Sequence, residues 1–318
     1  MAVNAFIFPG QGSQTVGMGR DLAASFAAAR HVFEEIDEVL KQKLTKLMFE
    51  GPADELTLTE NAQPALLAVS LAVLRVLQME GGINLKDKIV LAAGHSLGEY
   101  SALAAVETFS VAEAAQLLKR RGQAMQKAVP PGVGAMAALL GTELELAREI
   151  CAEAESQASK RETVAVANDN GGGQVVISGH KTAVEQAMEI AKTKGVKRAM
   201  LLPVSAPFHC ALMAPAADAM AEAFVHTPPR APILPIIANV TASKATDPAE
   251  IRDLLIKQVT ATVRWRESID EMVRSGVTHF YEIGAGKVLS GLVKRIAPDA
   301  TTAAIGTPSE IEALVKVL

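Results

Sequence analysis

Two kinds of apolar run alternate along this chain. Short continuous ones have the length of buried strands, and longer stretches between them carry helical patterning. Asn4 to Phe8 (NAFIF) reads as a first strand ending in the turn PGQG, and Lys88 to Ala93 (KIVLAA) as a second, followed by a helix over Leu97–Val106. Further short strands are expected at Ile233–Ala238, His279–Ile283 and Thr302–Ile305. Uninterrupted apolar strands of this kind suit a parallel sheet covered on both faces, so the chain is expected to be α/β with a mostly parallel sheet.

The middle of the chain has a different rhythm. Pro130-Pro131-Gly132 is a strong break. Beyond it the pattern predicts strand Met136–Leu140, helix Glu143–Ser156 and strand Thr163–Asn168. The turn NDNGGG then leads to strand Gln174–Ser178, helix Lys181–Lys194 and strand Arg198–Val204. The order β-α-β-β-α-β is that of a ferredoxin-like unit. Residues 131–204 are therefore expected to form a ferredoxin-like subdomain inserted into a larger α/β domain made of residues 1–130 and 205–318.

Composition narrows the function classes. With 318 residues and 49% hydrophobic content the chain can bury a large core. A net charge of −4 with no basic run gives no reason to expect nucleic acid. Two cysteines, Cys151 and Cys210, make neither a disulfide framework nor a thiolate metal site. The N-terminus MAVNAFIFPGQ does not read as a signal peptide, and no run approaches ~20 apolar residues, so no membrane segment is expected and the cytoplasm is the expected compartment.

The stretch LAAGHSLGEYSALAA contains the candidate chemistry. Gly94-His95-Ser96-Leu97-Gly98 matches G-x-S-x-G between a strand and a helix, the setting in which that motif lifts a nucleophilic serine above a sheet. The Leu97 N–H, just after the serine, is a natural donor to an oxyanion. Ser96 and Glu99 also stand in the S-x-x-E spacing of a capping box, which would explain both without chemistry. A serine nucleophile needs a base, and six histidines are available. His31 falls in a charged amphipathic helix, His95 on the turn itself, His180 and His226 at helix ends, and His279 at the start of a strand. His209, in the Pro-containing loop VSAPFHCALM, is the candidate left. No Asp or Glu offers itself as the third member of a triad, and a dyad oriented by a backbone carbonyl is the economical arrangement. The glycine-rich turns FPGQGSQ and GAGK lack the spacing of a dinucleotide or P-loop fingerprint.

FPGQGSQ, GHSLGEYSAL, RGQAM, ANDNGGGQVVISG, PFHCALM, VRW and GKVLSGLVKRI, in this order, resemble the malonyl-CoA:acyl carrier protein transacylase family nearly end to end. The resemblance implies an α/β-hydrolase-like core with the inserted ferredoxin-like subdomain. It implies Ser96 as acyl-accepting nucleophile, His209 as its base, Gln11 and Leu97 as the oxyanion hole, and Arg121 as the holder of the malonyl carboxylate. Gln63 and Asn168 match pocket-lining positions, and Gln258 the residue whose backbone carbonyl orients the histidine. Arg121 suits the role because a guanidinium grips a carboxylate through two parallel hydrogen bonds; spacing alone would leave it a solvated arginine in the run Lys119-Arg120-Arg121.

The sequence departs from the family pattern at Phe208, where stand-alone members often carry Ser, at Thr262, where Pro is common, and at GAGK in place of GPGK. In related polyketide-synthase domains Phe directly before the histidine accompanies malonyl selection, so Phe208 is a candidate for narrowing the pocket. The implied partners are malonyl-CoA and acyl carrier protein, with no metal or cofactor and a monomer expected. A serine hydrolase or thioesterase using the same turn is the alternative, and a non-catalytic carrier-binding scaffold a third reading.

Overall fold

The computed structural model describes residues 2–158 and 162–318; residues 1 and 159–161, the latter within the 131–204 segment, lie outside it. Ten strands are present among the described residues: β1 Asn4–Phe8, β2 Leu91–Gly94, β3 Gly134–Leu140, β4 Val164–Asp169, β5 Gln174–His180, β6 Arg198–Leu201, β7 Ile236–Ala238, β8 Ser243–Ala245, β9 His279–Ile283 and β10 Thr301–Ile305.

They form two sheets. The larger has the order β10-β9-β1-β2-β7-β8, with every pair parallel except the edge hairpin β7–β8. The smaller has the order β4-β5-β3-β6 and is antiparallel throughout. In the larger sheet alternate residues serve opposite layers. Phe6 and Phe8 of β1 join a core with the helices Thr59–Met79 and Val111–Lys127, while Ala5 and Ile7 pack on Trp265, Ile269, Leu289 and Leu292 beneath. Burial on both faces accounts for the continuous apolar strands. The smaller sheet has its own core, in which Leu139, Val166 and Ile177 meet Ile150, Val184 and Ile190 of the helices Leu144–Gln157 and Lys181–Thr193.

Several boundaries move from their expected places. Expected strand Lys88–Ala93 begins only at Leu91, because Asn84 caps a short helix Leu85–Lys88 by accepting from the Lys86 N–H. The stretch Ile233–Ala238 is strand only from Ile236; Pro235 has no N–H to give to a ladder. Arg198–Val204 ends at Leu201, before Pro203. The edge strand β8 has no apolar pattern of its own and was not expected. Helix Thr59–Met79 is also more apolar than the sequence reading allowed. By length and composition it could cross a membrane, but 83% of its most apolar window is buried, against the helices Ala27–Leu40 and Val111–Lys127.

Parallel register brings Phe8 of β1 beside Gly94 of β2, so the turns leaving both strands open on the same crevice. The crevice outside the carboxyl ends of parallel strands is where α/β sheets hold ligands. The small sheet reaches the same edge through β4: Asn168 bridges to Val263, and the Val263 N–H donates to the Ala167 carbonyl at 2.8 Å.

Candidate active site

The turn after β2 is shaped by what its glycines leave out. A Cβ on Gly94 would lie 1.9 Å from the Gly98 backbone, and one on Gly98 would lie 2.2 Å from the Phe8 carbonyl oxygen. Only glycine lets strand, turn and helix pass so closely. Ser96, between them, is held at φ 54, in the left-handed region that costs an ordinary residue roughly 1–2 kcal/mol. The Asn239 side chain clamps this turn, its Oδ1 accepting from the Ser96 N–H at 2.8 Å and its Nδ2 donating to the Gly94 carbonyl at 2.7 Å.

Ser96 does not cap the helix that follows. That helix, Gly98–Ala105, starts after Leu97 with no side-chain cap. Glu99 does not reach back to Ser96 either; its carboxylate accepts from Gln258 Nε2 at 2.7 Å and the Asn239 N–H at 3.2 Å. Reciprocal capping boxes do occur elsewhere, at Ser110/Glu113 and Thr307/Glu310. The same spacing fails at Ser96 because the sharp turn carries the hydroxyl away from the helix start.

The hydroxyl meets His209 instead. Ser96 Oγ lies 2.8 Å from His209 Nε2, and His209 Nδ1 lies 2.8 Å from the Gln258 carbonyl oxygen. A carbonyl only accepts, so the proton sits on Nδ1 and Nε2 is left to receive the serine proton. His209 is itself at φ 59, on the loop after β6. Burial, reinforced by the charge of Arg121, pushes its pKa down to about 3, so the imidazole is neutral at ordinary pH.

Arg121 is 1% exposed and is not the solvated arginine that its sequence neighbours suggest. Gly122 explains the burial: a Cβ there would stand 2.6 Å from the Glu60 Cα, so its absence lets helix Val111–Lys127 close on the start of helix Thr59–Met79. The guanidinium lies over the Tyr100 ring, 5.6 Å from its centroid. One terminal nitrogen donates to Gln63 Oε1 at 2.8 Å; the other donates to Gln258 Oε1 at 2.8 Å and Ser96 Oγ at 3.1 Å. Gln258 thus contributes its main chain to His209 and its side chain to Arg121, Glu99 and the Ser96 carbonyl.

A cavity of about 510 Å³ opens over these groups, bordered by Gln11, Leu97, Gln63, Asn168 and Phe208 as well as the serine, histidine and arginine. Every site residue expected from the sequence except Gln258 borders it; Gln258, fully buried, sits behind Ser96 and His209. Neither the Gln11 nor the Leu97 backbone N–H has a protein acceptor among the described residues. The Gln11 turn is close to the serine turn, since a Cβ on Gly10 would lie 2.7 Å from the His95 carbonyl oxygen. His95 itself turns aside, its Nε2 2.9 Å from Asn170 Oδ1. Among the described residues no cluster of His, Cys, Asp or Glu is placed to hold a metal ion.

Sequence reading missed Glu99 as a network member and Asn239 altogether. Glu99 is 2% exposed, and burial raises its pKa to about 7. Its assignment to a cap hid the first, and nothing in the run IIANVTA singles out the second.

Residues 5–306 match the family model for an acyl transferase domain. The chain is 46% identical over 318 residues to the malonyl CoA-acyl carrier protein transacylase of Bacillus subtilis, covering 100% of this chain and 98% of that protein. It is 45% identical over 313 residues to the enzyme of the same name from Escherichia coli, covering 98% and 99%. Among solved structures, an acyl-carrier-protein S-malonyltransferase from Bartonella henselae superposes with TM-score 0.96 at 54% identity, over 99% of both chains. A malonyl-transacylase in complex with its type II polyketide-synthase acyl-carrier protein superposes with TM-score 0.95 at 40% identity over 100% of both. Matches of this identity across the whole length, with the same fold, leave one conclusion: this chain is an acyltransferase and belongs to the malonyl-CoA:acyl carrier protein transacylase family.

Proposed function

We propose that the chain moves a malonyl group from malonyl-CoA to the phosphopantetheine thiol of acyl carrier protein through a malonyl ester on Ser96, as a cytoplasmic step of fatty-acid synthesis. The observation that carries this reading is the convergence on Ser96 Oγ of a neutral imidazole at 2.8 Å and a buried guanidinium at 3.1 Å. The first is a base for the serine proton; the second is a carboxylate receptor beside the atom that attacks. His209 takes the Ser96 proton as Oγ bonds to the thioester carbon, and the oxyanion is held by Leu97 and Gln11. The C–S bond breaks, and the imidazolium returns the proton to the CoA sulfur. The carrier thiol then attacks the ester by the reverse sequence, with His209 as base for the thiol and acid for the departing serine.

Arg121 fits a malonyl tail because the carboxylate would replace Ser96 Oγ as the acceptor of its terminal N–H. Gln63 and Gln258 hold the guanidinium, Gln258 orients His209, and Asn168 and Phe208 wall the cavity. On this reading residues 1–130 and 205–318 form an α/β-hydrolase-like catalytic domain, and 131–204 a ferredoxin-like insertion whose strand β4 brings Asn168 to the pocket. The protein acts as a monomer without metal or cofactor.

The test is intact-mass spectrometry after incubation with malonyl-CoA and acetyl-CoA together, followed by addition of a carrier protein bearing its thiol. Wild type should gain one malonyl group and lose it to the thiol, and Ser96→Ala should gain none. A folded Ser96→Ala protein that still transfers malonyl would overturn the nucleophile, and release of free malonate in place of transfer would make the chain a hydrolase.

A further inference from the structure

We propose that Thr59 is a positioning residue, through which Arg121 fixes the side-chain amide of Gln11 so that its NH2 rather than its oxygen is presented to the acyl group in the cavity. The inference rests on the acyl-transfer reading above and names a residue outside the nucleophile, base and carboxylate receptor.

A guanidinium has donors and no acceptor, so whatever it touches must accept. Arg121 donates to Gln63 Oε1 at 2.8 Å, which turns Gln63 Nε2 the other way, where it donates to Thr59 Oγ1 at 2.9 Å. A hydroxyl that accepts still has one proton to give, and Thr59 Oγ1 gives it to Gln11 Oε1 at 3.0 Å. With that oxygen turned to Thr59, the Gln11 NH2 points the other way; it has no protein acceptor among the described residues and belongs to a residue bordering the cavity. Reversing Gln63 would set donor against donor beside Arg121, and reversing Gln11 would leave the Thr59 proton without its acceptor. Thr59 is 0% exposed and Gln63 1%, so water cannot repair such a mismatch. Thr59 is also well anchored as the first residue of the long helix Thr59–Met79, on which helix Val111–Lys127 closes at Gly122, 2.7 Å from the Thr59 carbonyl oxygen to a Cβ there.

A carbonyl that turns into an oxyanion gains from a donor and loses from an acceptor, so the orientation affects the chemical step more than binding. Thr59→Val keeps the shape of the side chain and removes both hydrogen bonds; Thr59→Ser keeps them. In single-turnover formation of the acyl-enzyme, Thr59→Val should slow the step about tenfold with KM for malonyl-CoA within roughly twofold, and Thr59→Ser should restore it. In a Gln11→Ala background the further effect of Thr59→Val should shrink below about twofold, because the group it orients is gone. A loss that persists undiminished in that background, or one that appears as a raised KM, would overturn the proposal and leave Thr59 as support for the helix or for Arg121. Relaxation of the 15N-labelled Gln11 side-chain amide, assigned by its loss in Gln11→Ala, should show a rigid group in wild type and a mobile one in Thr59→Val. It needs no substrate, so it separates failure of this proposal, an equally mobile amide in both, from failure of the transferase reading.

Discussion

The turn region of the large sheet and the small antiparallel sheet handle their polar groups in opposite ways. Around β1, β2 and the loop after β6, the protein buries Arg121, Glu99, Gln258, Asn239 and His209 together and holds Ser96 and His209 at positive φ. Each of those choices costs stability unless the neighbouring groups are satisfied. The small sheet's core is aliphatic, packed between its strands and two amphipathic helices, with the pairs Lys181–Glu185, Lys192–Glu189 and Lys194–Glu153 at the surface. Arg121, Glu99 and His209 are thus gathered beside the cavity, whereas the other buried carboxylates, Asp169 of β4 and Glu282 of β9, stand apart from them, and the small sheet brings β4 to the cavity rim. This contrast is where the molecule can be tested.

The largest difference should come from adding one methyl group to each region. Gly98→Ala puts a Cβ 2.2 Å from the Phe8 carbonyl oxygen, a backbone atom that cannot move aside. Loss of the folded site, by more than about 4 kcal/mol, is expected from denaturant unfolding. Gly195→Ala, at φ +80 in the turn after helix Lys181–Thr193, meets nothing within 4 Å and should cost only about 1 kcal/mol, with activity kept. Similar costs at both would mean the serine turn is no tighter than an ordinary one.

Glu99 should imprint a pH dependence on stability between about pH 4.5 and 7. Its pKa is raised from 4.5 to about 7, chiefly by burial, so between those values the native state holds more protons than the unfolded one. Its contribution therefore falls as pH rises through that window, by up to about 3 kcal/mol. His209 acts in the opposite sense: lowered from 6.5 to about 3, it adds stability that is complete above pH 6.5 and is lost as pH falls toward 3. Glu99→Gln should gain on wild type as pH rises from 5 to 7; a constant difference across that range would show that Glu99 stays ionised in the fold.

Replacing Arg121 should separate substrates. Arg121→Ala is expected to lower kcat/KM for malonyl-CoA roughly 100-fold while acetyl-CoA, with no carboxylate to pair, loses far less. Lys should rescue poorly, since a point charge cannot keep Gln63, Gln258 and the substrate in paired geometry. Equal losses for both donors would make Arg121 a structural part of the buried network.

A further change of substrate preference concerns Phe208, 8% exposed at the cavity wall. Room for one methyl group is worth about 1–3 kcal/mol, so Phe208→Ser should narrow the preference for malonyl-CoA over methylmalonyl-CoA by roughly 10- to 200-fold. If both donors slow equally, the ring supports the His209 loop and does not gate the pocket.

Elements whose cause is local are legible in the residues themselves. Alternating and continuous apolar runs located β1, β9 and the strands and helices of the small sheet, and G-x-S-x-G between strand and helix marked Ser96, because period and glycine spacing are written in neighbouring residues. Motif order along the chain pointed to the family, and the resemblance offered Arg121 and Gln258 as candidates that no spacing would have chosen. Relations between distant segments arise only on folding. Glu99 looked like a capping partner until the Gln258 and Asn239 segments, over 130 residues away, offered it better donors. The Arg121 to Gln63 to Thr59 to Gln11 chain joins three segments, and its direction exists only once burial has excluded water. A side chain's periodicity records which face it occupies; its hydrogen-bond partner is chosen by proximity after folding, and desolvation is what makes that choice binding.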